Sequence, residues 1–214
     1  MPLEFILDSD DYKVGIWEIC ENETYFLDNY SYSEDELSEL HCKKGVHRLQ
    51  LLASRAILQE LKISDLGYKI IKDNHGKPHV VPIQGDISVT HSHQKAAAIF
   101  AKQANVGIDI QIETERILKL AGKFISEDEF DFIEGSTDHI SYYHIIWGAK
   151  ESLYKAYGRR KVDFKKNLHV RPFVYNPLGG STIGLVKMPD YENNFEIHYQ
   201  KIQDYFFVYC IEHA

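Results

Sequence analysis

The stretch VGIDIQIETE, residues 106–115, poses the question on which the fold turns. Val106, Ile108, Ile110 and Ile112 alternate, so a strand here presents one apolar face to a core and lines Gly107, Asp109, Gln111 and Glu113 along the other. Water would accept such a polar face at no cost, so the alternation leaves its purpose open.

Composition narrows the choices. The chain has 214 residues, with 24 Lys and Arg against 32 Asp and Glu, for a formal charge of -8. That length suffices for one large domain or two lobes of about 100 residues each. Cys20, Cys42 and Cys210 form no CxxC pair. With no signal peptide and no apolar run near 18 residues, the expectation is a soluble cytoplasmic protein without disulfides or a membrane partner. The acidic balance argues against nucleic acid as a partner. A compact anionic ligand stays compatible, because Lys150, Lys155, Arg159, Arg160, Lys161, Lys165, Lys166 and Arg171 gather within a short span.

No low-complexity stretch divides the chain, and the polar turn KQAN at 102–105 is the nearest thing to a boundary. It suggests lobes at 1–104 and 105–214. Each half reads as a strand, then helix, then antiparallel strands. The first has a strand at KVGIWEI and one long helical stretch from Glu34 to Lys62, with Leu49, Leu52, Ala53, Ala56 and Leu61 on its apolar face. Strands follow at GYKIIK, KPHVV and AAAIFAK. The second half opens on VGIDIQI and continues with helical stretches at ERILKLAGKFI, SEDEFDFIE and ISYYHIIWGAKESLYKAYG. Four strand-like runs follow, of which FEIHYQKI and YFFVYCI form a terminal hairpin. Aligning LLASRAILQELK with WGAKESLYKAYG leaves almost no identity, so only the element order suggests a repeat.

The longest helical stretch of the second half carries the candidate chemistry. At about 100° per residue, Ile145, Ile146, Ala149, Leu153, Ala156 and Tyr157 form a core arc. Trp147, Lys150, Glu151, Tyr154, Lys155 and Gly158 share another strip. A solvated face is one reading, with Glu151 and Lys155 paired for about 0.2–0.5 kcal/mol. Exposing the Trp and Tyr rings would forfeit on the order of 2 kcal/mol each, which favours a half-buried cleft wall. If Glu151 faces Asp109 across that cleft, two carboxylates could hold a hard divalent cation, Mg²⁺, with lysines nearby for phosphates.

GIDIQ at 107–111, followed by WGAKESLYK at 147–155, resembles the signature pair of the 4′-phosphopantetheinyl transferases. Within that family the likeness is to the two-lobed, surfactin-synthetase-activating type. Upstream, NHGKPHV resembles that family's Gly-Lys-Pro turn, ISVTHSHQKAA its Ser-His strand with Thr90 and His91, and Ser54-Arg55 its helical arginine. Together these motifs span residues 55 to 158 in the family's order.

The resemblance implies an α+β fold of two similar lobes forming a pseudo-dimer, each with helices on a small, mainly antiparallel sheet and the active cleft between them. It implies a monomer that moves the phosphopantetheine arm of coenzyme A onto a serine of an apo acyl or peptidyl carrier protein, releasing 3′,5′-ADP. In that scheme Asp109, Gln111 and Glu151 hold Mg²⁺. Glu151 also accepts the serine proton, and Lys155 sits at the pyrophosphate and assists the leaving group. Arg55, Lys77, Pro78, Thr90, His91, Asp109, Lys150 and Lys155 would contact coenzyme A, with His91 at the 3′-phosphate. Gln111 departs from the glutamate of many relatives, and a neutral amide oxygen would bind the ion less tightly. Glu113, about 6.6 Å further along the strand, is a poor substitute. Lys119, Lys123 and the 159–166 cluster are the cations available to an acidic carrier. The alternatives are a non-catalytic module that binds coenzyme A or a nucleotide, and a Mg²⁺-dependent nucleotide phosphohydrolase.

Overall fold

The computed structural model describes residues 3–63 and 67–213. The chain begins with an antiparallel pair, β1 (Leu3–Asp8) and β2 (Tyr12–Glu18). Three helices follow: α1 (Glu23–Asn29), α2 (Glu34–His41) and α3 (Val46–Glu60). Next come β3 (Lys69–Lys72), β4 (Pro78–Val81), β5 (Asp86–Ser92) and β6 (Lys95–Ala101). These strands make an antiparallel sheet in the order β1-β2-β6-β5-β4-β3. Leu52, Ala53, Ala56 and Ile57 of α3 share a fully buried core with Trp17, Phe26, Ile87 and Ala98.

The single helical stretch expected over 34–62 is two helices. Ser33 starts α2 with a reciprocal capping box to Glu36, and the helix ends at Cys42. Gly45 then takes φ 54°, a value no continuing right-handed helix permits, and α3 starts afresh from it. Arg48 ties the restart to the preceding turn by donating to the Leu40 carbonyl oxygen at 2.6 Å.

The second half repeats the plan. It comprises β7 (Val106–Ile112), α4 (Arg116–Leu120), a 3₁₀ turn (Ala121–Lys123), α5 (Glu127–Ile133) and the long α6 (His139–Tyr157). The strands β8 (Leu168–Val170), β9 (Gly180–Met188), β10 (Tyr191–Ile202) and β11 (Tyr205–Glu212) complete it. The sheet order is β7-β11-β10-β9-β8, all antiparallel, and the expected terminal hairpin is the β10–β11 pair. The fold is therefore α+β, two antiparallel sheets each covered by helices.

The apolar face of β7 faces the other sheet. Val106, Ile108 and Ile110 pack with Val14, Ile16, Ala97 and Ile99 of the first sheet and with Phe207 and Tyr209 of β11. Because β7 is the edge strand of its sheet, its outer N–H groups need partners from elsewhere. Side chains of β5 supply them. Asp86 Oδ2, Ser88 Oγ, Thr90 Oγ1 and Ser92 Oγ accept from the N–H groups of Val106, Ile108, Ile110 and Ile112 at 2.9, 3.3, 3.4 and 3.3 Å. Alternate residues of both strands thus meet at one constant offset, and the sheets are joined through side chains.

Candidate active site

The polar face of β7 is not solvated; it is pressed against α6. Gly107 makes this possible, since a Cβ there would lie 1.8 Å from the Ser152 carbonyl oxygen. The Ser152 hydroxyl donates to the Val208 carbonyl oxygen at 3.2 Å, fixing the same turn of α6 to β11. Two residues beyond Gly107, Asp109 is buried against the helix.

Asp109 Oδ1 accepts from Lys155 Nζ at 3.1 Å and from the Thr90 hydroxyl at 3.3 Å. Lys155 also donates to the Ile108 carbonyl oxygen at 2.7 Å. Burial nevertheless raises the Asp109 carboxyl above its ordinary value, against the pull of Lys155. Glu151 lies one turn before Lys155. Burial raises its carboxyl and the charge of Asp109 raises it further, against the smaller pull of Lys155. Among the described residues, the Glu151 carboxylate accepts no hydrogen bond. An anion so placed is costly unless a cation joins it. A buried and a half-buried carboxylate beside one lysine fit a hard divalent ion, whose remaining ligands would be water or ligand oxygens. Among the described residues, no group of three or more His, Cys, Asp or Glu side chains is placed to hold a metal.

The strip read from the sequence as one cleft wall divides in two. Trp147 and Tyr154 pack at a tilt against Phe164 with ring centroids 5.6 and 5.7 Å apart, and Trp147 also meets Phe124. Lys150 goes with them. It is fully buried, donating to Glu129 at 2.7 Å and to the carbonyl oxygens of Phe124 and Phe164 at 2.6 and 2.9 Å. All three ammonium hydrogens are therefore committed away from Asp109, which corrects the expectation that Lys150 contacts a phosphate. Burial depresses its pKa against the opposing charge of Glu129.

The face of α6 that meets β7 is instead His144, Gly148, Glu151 and Lys155, an i, i+4, i+7, i+11 series within about 60° of arc. His144 was not among the sequence candidates, although that spacing from Glu151 and Lys155 was available as a signal. Its ring is buried and bonds the amide of Gln111 at 3.0 Å, while Gln111 Nε2 donates to its backbone oxygen at 3.0 Å. Glu113 is engaged elsewhere, accepting from Lys201 at 2.6 Å.

Lys77 also has protein partners. Its ammonium donates to Asp86 Oδ2 at 2.6 Å and to the Ala156 carbonyl oxygen at 2.7 Å, bracing the last turn of α6 against the first lobe. Gly158, at φ 70°, leaves room for it, since a Cβ there would stand 2.4 Å from Lys77 Cδ. Lys77, Pro78, Ser88, Tyr154 and Lys155 line a cavity of about 180 Å³ between the lobes. Gly76, Pro78 and Val89 are shared with a larger cavity of about 650 Å³, on whose walls stand Lys43, Lys44, His47, Arg55, Lys72 and His91. Arg55 is held there by Glu36 at 2.8 Å and Glu39 at 3.5 Å. His91 is pushed below the usual imidazole value by burial, then by His47, Lys155 and Lys43. Thr90 bonds Asp109 directly, and so stands at the carboxylates.

Asp109, Glu151, Lys155, Thr90 and Gln111 thus come together where the lobes meet, Lys77 and Pro78 line the passage, and Arg55 and His91 line the cationic cavity. Residues 105–210 match the family model of the 4′-phosphopantetheinyl transferase superfamily. The chain is also similar to the 4′-phosphopantetheinyl transferase gsp of Aneurinibacillus migulanus, 28% identical over 112 residues. That match covers 51% of this chain and 46% of the relative, so the chain spans about half the length of the curated relative it matches.

Proposed function

Because the chain belongs, through residues 105–210, to the 4′-phosphopantetheinyl transferase superfamily, we propose that it moves the phosphopantetheine arm of coenzyme A onto a serine of an apo acyl or peptidyl carrier protein. The serine oxygen attacks the phosphorus of the arm, the pyrophosphate P–O bond breaks, and 3′,5′-ADP leaves. The observation that carries this reading is the unpartnered Glu151 carboxylate beside the Asp109–Lys155 pair, at the end of a passage leading to a cationic cavity.

Asp109 and Glu151 are the groups that would hold Mg²⁺, which when bound neutralises a pyrophosphate and acts as a Lewis acid. Glu151, its carboxyl raised by burial and by Asp109, takes the serine proton. Lys155 spends two donors on Ile108 and Asp109, and its third hydrogen serves the departing phosphate. Lys43 and Lys44 supply the cationic wall for the 3′-phosphate, with the His47 and His91 rings beside them. This reading takes the protein as a cytoplasmic monomer in which lobes 1–104 and 105–214 supply opposite walls of one cleft. No described helix is long and apolar enough to cross a membrane.

The test is incubation with coenzyme A, Mg²⁺ and several apo carriers, followed by intact mass measurement of each carrier. A gain of one phosphopantetheine group, absent with Glu151→Gln, is expected. No gain on any carrier, with coenzyme A still bound, would favour a non-catalytic binding module; nucleotide product formed without a carrier would favour a phosphohydrolase.

A further inference from the structure

We infer that Gln111 is a fixed hydrogen-bond donor to Asp109 rather than a metal ligand, and that His144 is the positioning residue that fixes it. The catalytic meaning of this rests on the transferase reading. The hydrogen bonds themselves are independent of it.

The orientation of the amide follows from its surroundings. The His144 backbone oxygen can only accept, and it lies 3.0 Å from one end of the Gln111 amide, so that end is the nitrogen. The amide oxygen then lies 3.0 Å from His144 Nδ1, which must carry the ring hydrogen. Nε2 is left bare, and the Thr114 N–H donates to it at 3.0 Å. Every donor meets an acceptor. Turning the amide over would set its oxygen against the His144 backbone oxygen, two acceptors in contact.

The second hydrogen of the Gln111 nitrogen is available to Asp109 Oδ2, 3.5 Å away. Asp109 therefore has Lys155 and Thr90 at one oxygen and, at the outer limit of hydrogen-bond distance, Gln111 at the other. The histidine is itself immobilised, its ring stacked on Phe206 at 5.0 Å with an interplanar angle of 4°. Gly148 leaves space for the amide, since a Cβ there would come within 3.2 Å of its nitrogen. A glutamate at 111 would have no hydrogen for Asp109 and would oppose the His144 backbone oxygen with another acceptor. Gln111 and His144 are thus a matched pair that orients Asp109 beside a site with two carboxylates.

The ring tautomer reports the amide. If Gln111 turned its oxygen toward the carboxylates, His144 Nδ1 would have to accept, and Nε2–H would donate to the Thr114 carbonyl oxygen at 3.1 Å. The experiment is ¹⁵N NMR of the imidazoles in the labelled full chain, alone and with saturating Mg²⁺ and 3′,5′-ADP, with the His144 signals identified by their loss in His144→Asn. The Nδ1–H tautomer is expected in both states, and an Nε2–H tautomer in either overturns the proposal. Because this readout needs no turnover, it stands even if carrier modification fails. Kinetics supply the second readout. His144→Phe keeps the stack and loses the donor, and is expected to lower kcat about tenfold with the coenzyme A KM little changed. His144→Asn restores an N–H near Nδ1 and most of the rate. Equal losses in both variants would overturn the positioning role.

Discussion

At the level of single residues, Glu151 has the most to reveal, because its environment opposes its charge. Its carboxyl is raised, so between the ordinary carboxylate range and that raised value the folded chain keeps a proton that the unfolded chain has released. Stability contributed by this group therefore falls as pH rises through that window. Glu151→Gln should abolish transfer while raising the thermal midpoint of the metal-free protein by a few degrees at pH 8, and by much less at pH 4.5. Added Mg²⁺ should stabilise the parent and not the variant. Melts at both pH values, with and without Mg²⁺, check this; equal midpoints at pH 8 would mean that the carboxylate is compensated. Asp109, Glu151 and Lys155 were legible as residue types at suggestive spacing, and the structure brings them together. Lys150 misled because it is adjacent in sequence to Glu151 and yet about 100° away around the helix, enough to turn it to Glu129. Lys77 was legible as part of a turn, but of its partners Ala156 is distant in sequence, and the pairing with Asp86 shows only once β4 and β5 are folded together.

Among the elements, the decisive contact is that of β7 with α6. A strand and a helix lie this close only where one of them lacks a side chain, and Gly107 is that place. Gly107→Ala would force the two apart, so we expect a loss of at least about 2 kcal/mol in urea unfolding, with reduced transfer because Asp109 moves with the strand. A loss below about 0.5 kcal/mol would show that the contact can relax at little cost. Most elements were visible in the sequence through their periodicities, above all the alternation in β7 and the terminal β10–β11 hairpin. The break between α2 and α3 was not, because the apolar face of 49–61 continues the helical pattern and the interruption rests on one backbone angle at Gly45. β1 was missed as well. It is an edge strand, and its pairing with β2 is a tertiary fact.

For the molecule as a whole, two helix-covered sheets meet along a seam made mostly of side chains. The element order suggested this doubling; the seam itself was beyond the sequence, since the partners of Asp86, Ser88, Thr90 and Ser92 lie on the edge strand of the other sheet. Lys77 and Asp86 close one end of that seam from within. Lys77→Met should cost about 3–5 kcal/mol by leaving the buried Asp86 charge without its cation. The double variant Lys77→Met with Asp86→Asn should recover most of this, together with coenzyme A affinity. Calorimetry and denaturant unfolding on the three proteins decide the matter: stability restored without affinity would make Lys77 a direct phosphate ligand instead of a brace. The seam has one more implication, for motion. A displacement of β5 by a single residue would bring Ile87, Val89 and His91 opposite amides that need oxygen acceptors, so intermediate alignments are forbidden and the halves are indexed to each other like meshed gear teeth. Sliding of one half along the other is thereby ruled out as a way of admitting substrate.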